Sequence, residues 1–138
     1  MKRFTVLLVS LAALATACSG NVFSMSAGDC FNDPNNTEVV SDVEIVDCGE
    51  THDNEVYDTF DLADSTFPGQ VAVEDKAANG CLSRFEPYVG ADYLDSSLEI
   101  SFLTPSDGSW DDGDREVVCF LYDGTGGTLA TSAKGTGI

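Results

Sequence analysis

Basic side chains are scarce in this 138-residue chain: six Lys and Arg stand against 24 Asp and Glu, a formal net charge of −18 at pH 7. A surface of that sign repels nucleic-acid phosphates and anionic lipid headgroups, and no Lys/Arg cluster offsets it, so nucleic acid is excluded as a partner. Histidine occurs once, as His52, and no C-x-x-C pair is present. That spacing is unlike a zinc site, and no metal or other cofactor is expected. A G-x-S-x-G elbow is missing too, which removes one common route to nucleophilic catalysis. No internal repeat is visible.

An apolar run of about 20 residues, the length that spans a bilayer, is also lacking. What stands at the N-terminus is shorter. Met1-Lys2-Arg3 is a small positive segment, Val6 to Ala17 is apolar and of secretory length, and Ala15-Thr16-Ala17 supplies the small residues a signal peptidase accepts. Cys18 follows at once, in "LATACSG". Small residues directly before a cysteine form a lipobox, although Ala15 stands where Leu is usual. The expectation is a lipoprotein signal peptide over 1–17, with Cys18 lipidated (diacylglyceryl and palmitate chains) as the new N-terminus. Acyl chains contribute about 0.8 kcal/mol per buried methylene, enough to hold a soluble domain on a membrane without a spanning helix. Removal of Lys2 and Arg3 with the signal leaves 4 basic residues against 24 acidic ones, a formal charge of −20.

Residues 18–27, including "SGNVFSMSA", are small and polar and read as a tether. From Gly28 to Ile138 the pattern is that of one folded domain. Four cysteines remain there: Cys30, Cys48, Cys81 and Cys119. In an exported chain an even set implies disulfides, with three connectivities open.

Strand patterns occur at "EVVSDVEIVDC" (38–48), at "EVYDTFDL" (55–62), where Val56, Phe60 and Leu62 share a parity, and at "LEISF" (98–102), with Leu98, Ile100 and Phe102 on one face. "EVVCFLY" (116–122) is apolar at both parities, as a central strand would be, and "TLATS" (128–132) is a candidate last edge strand. One helix is expected from near Pro68 to Pro87 and Gly90, with Val71, Ala78, Cys81, Leu82 and Phe85 on its buried stripe. Cys81 then faces the sheet, where Cys119 is its favoured partner, and Gly80 permits close approach. Cys30 and Cys48 are left to join the first segment to the end of the next strand. The fold class is α+β: a small antiparallel sheet with one helix packed across it and two disulfides.

"GDCF" (28–31), "VDCGETHDNEVYDTFDL" (46–62), "GCLSRFEPYVG" (80–90) and "TPSDGSWDDGDREVVCFLYDG" (104–124), with a Gly/Ser/Thr-rich tail, resemble the septum formation domain of actinobacterial envelope proteins. The resemblance covers Gly28 to about Gly135. Thr51 and Asp47 stand where that family often has Pro, and neither touches the cysteine frame. The resemblance implies an extracytoplasmic, often membrane-anchored protein associated by name with septum formation rather than with a reaction.

His52-Asp53-x-Glu55 could pair a general base with orienting carboxylates. Its place between two strands favours a tight connection in which Asp and Asn cap backbone amides, or a recognition role. In "SDGSWDDGDRE" (106–116), Asp107, Asp111, Asp112 and Asp114 do not follow the EF-hand register. A hairpin loop is expected, with Trp110 packed on the core, Gly113-Asp114 turning, and Arg115 paired to a nearby acid. Lys76 and Arg84 are expected to pair with Glu74, Asp75 or Glu86. Tyr57, Tyr88, Tyr93 and Trp110 each read as core filling, with an exposed aromatic patch for a partner or glycan as the alternative. His52, Asp53, Glu55, Trp110, Asp114 and Arg115 are therefore the candidate recognition residues of a lipid-anchored, non-enzymatic binding domain on the outer face of the cell membrane, linked to septum or envelope processes through an envelope protein or ligand. The alternative is an acidic lipoprotein that binds a small ligand or cation.

Overall fold

The structure is a computed structural model that describes residues 19–21, 24–34 and 42–138. The segment expected as a signal peptide (1–17), Cys18 and the start of the 38–48 strand pattern lie outside the described residues. The strands are β1 (Ser19–Asn21), β2 (Cys30–Asn32), β3 (Asp42–Val46), β4 (Asn54–Asp61), β5 (Leu98–Leu103) and β6 (Glu116–Asp123), the last four from alternating or β-branched sequence. The helices are α1 (Gln70–Val89) and a short α2 (Asp107–Asp111), with a 3₁₀ turn at Tyr93–Asp95. β2 to β6 form a five-strand antiparallel sheet, extended at one edge by the three-residue β1, in the order β1-β3-β2-β4-β6-β5. The segment expected as a tether thus contributes β1, and Met25 is buried against the sheet.

β6 is apolar on both faces because both faces are covered. Val117, Cys119 and Leu121 lie under α1, while Val118 joins Met25, Phe31, Val43 and Val56 on the other side. β4 and β5 flank it, so it is an interior strand. β4 departs from the expected parity. A register shift between Val56 and Asp58 inserts Tyr57 as an extra residue, so Val56 faces one core while Tyr57, Phe60 and Leu62 face the other.

The stripe of α1 also differs from expectation. Cys81 and Phe85 are buried as expected, but their companions are Val73, Ala77 and Val89 at strict four-residue spacing. Val71 and Leu82 are 73% and 45% exposed. Pro87 lies within the helix, and Gly90, in the left-handed region, ends it alone.

Cys81 and Cys119 form one disulfide, tying α1 to β6, and Cys30 and Cys48 the other, tying β2 to the turn after β3. Gly80 does permit close approach, but to the Phe60 ring: a Cβ there would sit 2.3 Å from the ring edge. Gly80→Ala is therefore expected to cost about 1–3 kcal/mol in denaturant unfolding, part of it recovered by Phe60→Leu.

Residues 128–132 are not an edge strand. His52 and Leu129 make a single antiparallel bridge, after which the chain turns across the end of α1. There the N–H groups of Gly135 and Gly137 donate to the carbonyls of Tyr88 and Val89, which have no partner within the helix.

Candidate functional site

The six candidate residues fall into two groups at opposite ends of the β4–β6 ladder, which runs from Asn54↔Tyr122 to Asp61↔Glu116 and is about 25 Å long. His52, Asp53 and Glu55 are at one end. Trp110, Asp114 and Arg115 are at the other, and the fold does not bring the two together.

His52 and Glu55 are both fully buried. His52 Nδ1 lies 2.7 Å from the carbonyl of Glu50, and Nε2 lies 3.9 Å from Glu55 Oε2. Glu55 accepts three hydrogen bonds: from the Tyr88 hydroxyl (2.6 Å), the Ser132 hydroxyl (2.6 Å) and the Ala133 N–H (2.7 Å). One carboxylate thus joins β4, the end of α1 and the C-terminal tail. Asp53 lies beside this centre in the turn, where its carboxylate accepts from the Asp33 N–H at 2.9 Å. These partners lie far along the chain from Glu55, so no local spacing announces them.

At the far end, Ser106 and Ser109 close a capping box on α2, and Trp110 is buried against Phe67. The Arg115 guanidinium stacks on Trp110 at 3.9 Å and donates to the carbonyls of Asp64, Ser65, Trp110 and Asp114. Its partners are carbonyls rather than the expected acid, because the loop folds back over the guanidinium. The Asp114 carboxylate accepts from the Glu116 N–H. Lys76 and Arg84 likewise pair away from their own helix, with Asp64 (2.5 Å) and Asp58 (3.1 Å). Burial, helped by Asp61 and Asp114, pushes the Glu116 carboxyl up from its ordinary value.

Tyr57, Phe85, Tyr88 and Tyr93 pack as one aromatic group, with ring centroids 5.3–6.1 Å apart. Burial, then the Asp58 charge, pushes the Tyr57 phenol well above its ordinary pKa, and burial with the Glu55 hydrogen bond does the same for Tyr88. A folded-state pKa raised in this way contributes stability that is complete below the unfolded value, about pH 10, and lost as pH rises beyond it. Urea midpoints are therefore expected to fall above about pH 10, more shallowly in Tyr57→Phe.

The surface offers a different constellation. Between α1 and the 3₁₀ turn lies an open groove of about 320 Å³ lined by Leu82, Ser83, Glu86, Asp92, Tyr93 and Leu94. Leu94 is 89% exposed. It was not among the candidates, and its one sequence signal is a lone Leu within polar "ADYLDSS".

The sequence profile of the family described as "Septum formation" matches residues 13–135. The chain belongs to the septum formation family. The match spans the whole sheet, α1, both disulfides and the groove, and it points to a role in cell division or the cell envelope. No protein of curated function and no solved structure matches the chain. In this septum formation domain the residues with the look of chemistry, His52 and Glu55, are turned inward, and the apolar groove is turned outward.

Proposed function

We propose that this septum formation protein is a non-catalytic binding domain, held by lipid on Cys18 at the outer face of the cell membrane, whose α1 groove docks a basic segment of an envelope protein. The observation that carries this reading is the pair Leu82 and Leu94, 45% and 89% exposed on either side of one groove. Exposed leucines that flank one groove act as anchors for a partner. Glu86 and Asp92 in the lining and the surplus of acid in the chain favour Lys or Arg beside those anchors. Two disulfides and the signal-like N-terminus support export, and the full burial of His52 and Glu55 supports a role without catalysis.

A photocrosslinking residue at Ser83 tests the groove in growing cells. The reading expects one discrete adduct that disappears with Leu94→Asp and whose crosslinked peptide carries Lys or Arg. The same adduct from a probe at Glu44, in β3, or a crosslinked peptide without basic residues, overturns it. Incorporation of labelled palmitate, lost in Cys18→Ala, tests the anchor separately.

A further inference from the structure

The two disulfides sit in unlike surroundings. Cys81 and Cys119 are fully buried between α1 and β6. Cys30 is fully buried, but its partner Cys48 is half-buried in the turn after β3, within reach of a reagent in solution. On its inner side, the Sγ of Cys30, a ring nitrogen of His52 and a carboxylate oxygen of Glu55 all lie within 4.8 Å of one another. These three residues are the one group of metal-binding side chains that converges so among the described residues.

His52 Nε2 is buried there without a hydrogen-bond partner. Leaving such an atom unpaired costs about 1–3 kcal/mol, and among the buried side-chain nitrogens and oxygens of the described residues only Trp110 Nε1 shares that state. The Glu50 carbonyl beside Nδ1 fixes the ring so that Nε2 faces inward, toward Glu55. A metal-bound histidine is held in just this way, by a carbonyl or carboxylate on its other nitrogen. Glu55 is held as firmly, by Tyr88, Ser132 and Ala133. In the oxidised protein the missing element is thiolate, since Cys30 and Cys48 are bonded to each other.

We propose that reduction of Cys30–Cys48 by a dithiol converts this centre into a closed zinc site with Cys30, Cys48, His52 and Glu55 as its four ligands. A thiolate of the dithiol attacks Cys48 Sγ, the bond to Cys30 breaks, and Cys30 leaves as thiolate. The second thiolate of the dithiol then displaces Cys48, so the dithiol ends as a disulfide and its two electrons reside on the two protein sulfurs. Zinc binds both sulfurs as thiolates, any thiol protons pass to solvent, and the His52 nitrogen and a Glu55 oxygen complete a tetrahedral S₂NO set. The metal stands in for the broken bond: in either state β2 remains joined to the β3–β4 turn.

Full-length protein carrying Cys18→Ser, so that no fifth thiol contributes, is treated with a dithiol, freed of it, and titrated with zinc or cobalt(II). Alkylation and mass mapping are expected to find Cys30 and Cys48 free with Cys81–Cys119 intact. The reduced protein is expected to bind one zinc roughly 100-fold tighter than the oxidised protein, and cobalt to give tetrahedral and thiolate charge-transfer absorption bands. Glu55→Gln and His52→Gln are each expected to weaken binding at least roughly 10-fold. Equal zinc affinity in the two redox states overturns the proposal, as does a cobalt spectrum without thiolate bands. The spectrum of the unsubstituted centre decides the matter even if a variant fails to fold.

Discussion

Replacing Glu55 with alanine is expected to lower unfolding stability by about 3–5 kcal/mol. Its carboxylate accepts hydrogen bonds from Tyr88 on α1 and from Ser132 and Ala133 in the tail. Hydrogen bonds to a charged group contribute about 1.5–3 kcal/mol each, and removing the acceptor strands a buried backbone N–H at Ala133. Glu55→Gln is expected to cost less, about 1–2 kcal/mol. Its amide oxygen can still accept from Ala133, and the two hydroxyls can turn to accept from its NH₂. The two variants are separated by urea unfolding together with limited proteolysis. In Glu55→Ala, cleavage within residues 128–138 is expected to precede any cleavage of the sheet, because Glu55 is what holds Ser132 and Ala133 down.

The second large effect is at the buried disulfide. Cys81→Ala together with Cys119→Ala is expected to lower stability by about 4 kcal/mol, with a fall in Tm of about 15 °C. The crosslink closes a loop with a sequence separation of 38, against 18 for Cys30–Cys48, and chain entropy alone ranks the longer loop as the more stabilising. Burial acts in the same direction. Both sulfurs lie in the core between Val73, Ala77 and Phe85 of α1 and Val117 and Leu121 of β6, so the alanines also leave a void. Removing Cys30 and Cys48 is expected to cost less, about 3 kcal/mol, in thermal unfolding of the oxidised protein.

Cys81–Cys119 was legible from parity and helix phase, since Cys81 lies on the inner stripe of α1 and Cys119 faces the same core from β6, and Cys30–Cys48 followed as the remaining pair. The antiparallel sheet and the single main helix were legible for the same reason. The failures have local causes. The extra residue at Tyr57 flips β4 halfway along, and a two-residue period cannot report a bulge that the partner strand imposes. On α1, Val71 and Leu82 are apolar, and hydrophobicity alone assigned them to the core, whereas Val73, Ala77 and Val89 take that place. The "TLATS" segment carries strand-forming residues but has only His52 to bridge, since the chain must turn away to cover the end of α1.

The candidate site divides along the same line. His52 and Glu55 were recognisable as unusual, one the sole histidine and the other an acid three residues on, but the partners of Glu55 lie 33 to 78 residues away. Arg115 was expected to find an acid in a chain full of them. It found carbonyls instead, because its flat guanidinium stacks on Trp110 and its N–H groups then point at the surrounding backbone. The groove at Leu82 and Leu94 was hidden by the reading that misplaced Leu82, and the same residue that contradicts the helix pattern becomes the best surface feature for a partner.

The most direct test of this account is the position of a fluorescently tagged copy in dividing cells of the source organism. The account predicts enrichment at the division site, loss of that enrichment with Leu82→Asp and Leu94→Asp while the protein stays on the membrane, and release from the membrane with Cys18→Ala. A uniform membrane signal for the unsubstituted chain, or a septal band that the two leucine substitutions leave intact, would contradict it.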